Sequence, residues 1–76
     1  MPSKNEFRAR PRKTGGWVIN RSNARHPISF HSTQTAAWKE TRRLARGAAS
    51  EALLEDKDGV IRTRNTYGEF LCLLEG

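Results

Sequence analysis

The sequence predicts an α+β domain, a small and mostly antiparallel sheet of about five strands in the order β-β-β-α-β-β with one helix packed on one face. Three observations predict it. Short segments alternate polar and apolar side chains with period two, as half-buried strands do. Paired glycines and an Asp-Gly step separate them with turn chemistry. One run from Gln34 to about Ala48, rich in Ala, Leu, Arg, Lys and Glu, has no glycine before Gly47.

The elements follow in order. Residues 1–5 are polar and are expected to fray, and 6–68 form the single domain. Glu6-Phe7-Arg8-Ala9-Arg10 alternates as a strand that Pro11 ends. Arg12-Lys13-Thr14-Gly15-Gly16 supplies a tight turn, and the β formers of Trp17-Val18-Ile19-Asn20-Arg21 complete a hairpin. The polar loop from Ser22 to Pro27 leads to a third short strand, Ile28-Ser29-Phe30-His31. Ser32-Thr33 offers a hydroxyl cap for the helix. Beyond it, Ala52-Leu53-Leu54-Glu55 and Val60-Ile61-Arg62-Thr63-Arg64 flank the Asp58-Gly59 step as a second hairpin, and Asn65-Thr66-Tyr67-Gly68 reads as a further turn. Residues 69–76 form an apolar tail. Its Phe70-Leu71-Cys72-Leu73-Leu74 is expected to join the core or to pair with its copy in a homodimer.

At 100° per residue, Ala37, Trp38, Thr41, Leu44, Ala45 and Ala48 share one side of the helix. With Trp17, Ile19, Ile28, Phe30, Leu53 and Ile61 they make the expected core. Lys39, Arg42, Arg43 and Arg46 share the opposite side, where like charges on neighbouring turns cost a few tenths of a kcal/mol per pair unless an anion joins them. Glu40 lies to one side of this stripe.

Length and charge bound the function. A chain of 76 residues makes one domain with a thin core, which excludes dinucleotide folds and large multi-substrate enzymes. Lys and Arg number 14 against 8 Asp and Glu, a formal charge of +6. Residues 1–46 carry 11 of the basic side chains and only 2 of the acidic ones. That asymmetry favours a polyanionic partner met by the first part of the chain. Arg outnumbers Lys, which suits bidentate phosphate contacts.

Chemistry-bearing constellations are scarce. Trp17 and Trp38 are candidates for base stacking, but a strand start and the edge of an apolar helix stripe make them core anchors first. His26 and His31 lack companion ligands for a metal. Cys72 sits among apolar neighbours, which disfavour a thiolate, and as a single cysteine it forms no internal disulfide. Gly15-Gly16 is not followed by the helix that a phosphate-cradling loop needs. The carboxylates of Glu55, Asp56 and Asp58 fit a turn. The expectation is a non-enzyme without metal or cofactor. N-terminal residues 1–10 contain no apolar run of the kind a secretory signal needs, and no segment approaches a membrane span, so a cytoplasmic location is expected.

Gly15-Gly16-Trp17-Val18-Ile19-Asn20-Arg21, Phe30-His31-Ser32-Thr33-Gln34 opening an Ala-rich helix, Lys57-Asp58-Gly59-Val60-Ile61-Arg62 and Asn65-Thr66-Tyr67-Gly68 together resemble a small bacterial family, domain-of-unknown-function family 2188, over residues 6–68. The resemblance implies the hairpin, strand, helix and hairpin order, and carries over no established activity or catalytic residue. Where the family has an acidic residue early in the helix this chain has Ala36, and where it often has glycine after the helix this chain has Ala49. Its helix commonly mixes Glu with Lys, whereas here the exposed side is mostly basic.

The function expected is a small non-catalytic nucleic-acid-binding accessory protein that contacts the DNA or RNA backbone. Lys39, Arg42, Arg43 and Arg46 would hold phosphates, with Arg8, Arg10, Arg12 and Lys13 extending the patch. The alternative is a protein-interaction module, such as a regulator or phage-type inhibitor, that docks the same face on an acidic protein surface.

Overall fold

The computed structural model describes residues 6–22 and 24–67. Strands β1 (Glu6–Pro11), β2 (Trp17–Arg21) and β3 (Ser29–His31) precede helix α1 (Gln34–Gly47), and β4 (Glu51–Glu55) and β5 (Ile61–Thr66) follow it. They form one mixed sheet in the order β3-β2-β1-β4-β5. The β1–β2, β2–β3 and β4–β5 pairs are antiparallel, and β1–β4 is parallel. A parallel pair needs a crossover, which α1 supplies as it packs over the strands.

Turn chemistry closes the hairpins where the sequence places it. Arg12 N–H donates to the Gly16 carbonyl at 2.9 Å, and Gly15 and Gly16 take φ of 107° and 76°. A Cβ on Gly16 would lie 3.1 Å from the His31 carbonyl oxygen, so the glycine also lets the β1–β2 turn come close to the end of β3. In the β4–β5 turn, Asp56 Oδ1 accepts from the Asp58 and Val60 N–H groups at 2.8 and 3.0 Å. The Val60 N–H above all, then the Arg62 guanidinium and the Asp58 N–H, hold the Asp56 carboxyl below its ordinary range.

The helix starts at the predicted cap, where Thr33 Oγ1 accepts the Ala36 N–H at 3.1 Å. It ends in a Schellman arrangement. Ser50 N–H reaches the Ala45 carbonyl at 2.9 Å and Ala49 N–H reaches Arg46 at 3.2 Å, with Ala49 itself at φ 51°. Ala49 thus holds the left-handed position usually given to glycine.

Register sorts the strand residues onto two faces. Phe7, Ala9, Ile19 and Ala52 point toward α1, where Phe7, Ala45 and Ala52 form a cluster flanked by Trp38, Leu44 and Tyr67. Ala37, Thr41 and Ala45 are the buried positions of the helix, as the stripe predicts, and Thr41 Oγ1 donates to the Ala37 carbonyl. Ala48 is exposed. Ile19 and Leu53 are buried as expected, but Leu53 lies on the face away from the helix, beside Arg8 and Arg64 in register.

Besides Ala48, three core expectations are overturned. Ile28, Phe30 and Ile61 are exposed, because strand alternation sends Phe30 and Ile61 to the far face and Ile28 lies before β3 at the sheet edge. Phe7, Ala9, Val18 and Ala52 are buried in their place. Trp17 is half-buried at the mouth of the hairpin. The expected turn at Asn65-Thr66 is instead the end of β5, where the two residues pair with Ala52 and Glu51. Residues 70–74 lie outside the described residues.

Candidate nucleic-acid interface

Helix α1 presents Lys39, Arg42, Arg43 and Arg46 away from the sheet, because its opposite side is occupied by Ala37, Thr41 and Ala45. Lys39, Arg43 and Arg46 border an open groove of about 540 Å³ that reaches His31 at the end of β3. The His31 ring lies 3.0 Å from Ser29 Oγ through Nε2. Arg42 lies over the Trp38 ring, 5.6 Å from its centroid, and Arg46 over Tyr67 at 5.8 Å. Both guanidinium groups are thereby held near aromatic rings rather than left to roam.

Arg43 behaves differently. Its Nε donates to Glu40 Oε1 at 2.8 Å and its Nη2 to the second carboxylate oxygen. This bidentate contact holds the exposed Glu40 carboxyl below its ordinary range and raises Arg43. The expectation that Glu40 leaves the stripe alone is corrected: one helical turn is enough for the two side chains to meet. Among the described residues, Lys39, Arg42 and Arg46 form no ion pair, so three cations without an acidic partner span about two turns of the helix.

The second cluster does not extend this patch. Phe7 and Ala9 face α1, so Arg8 and Arg10 project from the other side of the sheet. There both meet Glu55: Arg8 Nη1 lies 2.9 Å and Arg10 Nε 3.7 Å from its carboxylate. Arg8 also reaches Glu6 at 3.3 Å, and Arg64 pairs with Glu51 at 3.0 Å on the same face. Arg12 lies over the Phe30 ring on that far side, and Lys13 is exposed in the turn.

Glu55 ends a strand, as the reading of Ala52-Leu53-Leu54-Glu55 expects, but its carboxylate does not serve the turn. The residue is 4% exposed and enclosed by two guanidinium groups. Its alternation with Leu53 on one strand face is the signal in the sequence that points there. No group of three or more His, Cys, Asp or Glu side chains able to hold a metal occurs among the described residues. No helix of the described residues is long and apolar enough to cross a membrane.

The fold and this surface define a small α+β domain whose one helix shields one face of a five-stranded mixed sheet. The chain belongs to DUF2188, a family described as an uncharacterized protein conserved in bacteria, whose model matches residues 7–67. No match was found among curated proteins or among solved structures.

Proposed function

We propose that this protein is a non-catalytic, cytoplasmic accessory protein that binds the backbone of DNA or RNA through the outer face of α1. The observation that carries the reading is the set of three cations, Lys39, Arg42 and Arg46, that have no acidic partner among the described residues, whereas Arg8 and Arg10 are neutralised by Glu55. Mutual repulsion on that face is relieved by phosphates, and each phosphate contact releases counterions. The site is accordingly narrower than the sequence suggests: Arg43 is shared with Glu40, and Arg8 and Arg10 belong to the sheet.

Fluorescence anisotropy with random duplex DNA, single-stranded DNA and RNA at about 50 and 200 mM salt tests it. Binding should weaken steeply with salt. The triple variant Lys39→Gln, Arg42→Gln, Arg46→Gln should lower the salt slope by about 0.9 for each duplex phosphate that is no longer neutralised. Arg10→Gln should leave it unchanged. No binding at about 50 mM salt sinks the proposal. The Arg42–Trp38 and Arg46–Tyr67 pairs support a second reading, an acidic protein partner, since Arg and aromatic side chains are favoured at protein interfaces. Binding of an acidic protein with no affinity for nucleic acid would select it.

A further inference from the structure

We infer that the sheet face opposite α1 binds an unpaired base of single-stranded nucleic acid, with Phe30 as the stacking platform and Arg12 as its cationic partner. The inference rests on the phosphate-binding reading for the class of ligand, but it uses a different surface and assigns that surface a preference for single strands.

The starting point is the inverted polarity of β3. Its helix-facing side chains are polar, Ser29 and His31, which satisfy one another, while its central residue Phe30 points away from the helix and is 58% exposed. A core-building edge strand would carry the reverse pattern. Phe30 adds nothing to the helix-side core, and more than half of its surface stays open to a ligand.

Its surroundings supply the rest of a base site. Across the far face, pairing places Phe30 beside Val18, an aromatic ring next to an aliphatic floor. The Arg12 guanidinium lies over the Phe30 ring, 4.9 Å from its centroid. That juxtaposition follows from the close approach of Gly16 to His31, which brings the β1–β2 turn to the end of β3. Lys13 in the same turn is exposed, and neither Arg12 nor Lys13 forms an ion pair among the described residues. Among those residues no helix or strand packs across this face.

A base stacked on the ring takes the place of Arg12, which turns to the flanking phosphate with Lys13 beside it. Aromatic rings next to arginine on an open sheet read unpaired bases in this way, whereas the bases of a duplex are stacked out of reach. A second copy of this chain is the weaker occupant. A twofold contact centred on this corner would set Arg12 and Lys13 against their own images.

The test is an amide chemical-shift titration of the full chain with oligothymidylate and oligouridylate of about eight nucleotides and with a duplex of similar length. Single strands should shift Arg12, Val18 and Phe30; the duplex should shift α1 alone. Phe30→Ala, checked for an unchanged melting curve, should weaken single-strand binding about tenfold and leave duplex binding intact, and Phe30→Trp should retain both. The triple helix-face variant should weaken both ligands together, so its failure is told apart from failure at Phe30. The inference is overturned if Phe30→Ala binds single strands as tightly as the parent chain, if Phe30→Trp loses them, or if Phe30→Ala changes only the sedimentation of the protein.

Discussion

The two faces of the sheet bury their residues by different means. Toward α1 the contact is made by small side chains, with Ala9, Ala37, Ala45 and Ala52 all fully buried around Ile19 and Phe7. On the far face burial is achieved with charge: Glu55 is enclosed by Arg8 and Arg10, and Arg64 pairs with Glu51 beyond Leu53. The helix side therefore depends on close approach, where one extra atom is felt. The far side depends on mutual neutralisation, where a removed partner matters more than a changed volume. The same contrast decides which cations can serve a ligand. Arg8 and Arg10 are spent on Glu55 and Arg43 on Glu40, whereas Lys39, Arg42 and Arg46 have no acidic partner among the described residues.

Ala45→Asp should break the comparison most severely. It inserts a charge into the contact with Phe7 and Ala52, at a cost of several kcal/mol against a total of roughly 4–11 kcal/mol for a domain this long. Loss of the helical circular-dichroism signal at room temperature is expected. A cooperative melt near that of the parent would show that the helix is not seated on Ala52.

Glu55→Ala probes the far face. We expect a loss of about 1–3 kcal/mol in urea unfolding, limited because Arg8 and Arg10 are partly exposed and regain water once released. An unaltered midpoint would mean that the ion pairs contribute nothing, and that Arg8 and Arg10 are as available to a ligand as the helix cations.

The smallest effect sharpens the helix side. Ala49→Gly relieves a left-handed backbone position at φ 51° and should raise stability by about 0.5–1 kcal/mol, read as a higher melting temperature. A decrease would indicate that the Ala49 methyl group contributes packing that outweighs its backbone strain.

Much of the fold is legible without coordinates because its signals are local. The Thr33 cap, the Gly15-Gly16 and Asp58-Gly59 turns and the Ala37, Thr41, Ala45 stripe each depend on residues within a few positions of one another. The exposed basic stripe is legible for the same reason, since helical geometry alone places Lys39, Arg42 and Arg46 together. Glu40 lies within one turn of Arg43 and is equally readable, provided the stripe is taken as side chains with reach and not as points on a helical wheel.

What the chain alone determined, then, is the order and kind of its elements and the composition of each element's sides. What tertiary structure decided is which side meets which neighbour. Alternation says that Phe7 and Arg8 part company, and likewise Ser29 and Phe30, but it does not say which face the helix covers. Arg8 and Glu55 are 47 positions apart, and the parallel pairing of β1 with β4 is what brings them to 2.9 Å. Phe7 went inside and Phe30 outside for the same reason. A period-two pattern is symmetric between two faces, and only the packing of a helix against one of them makes one face a core and leaves the other for charge.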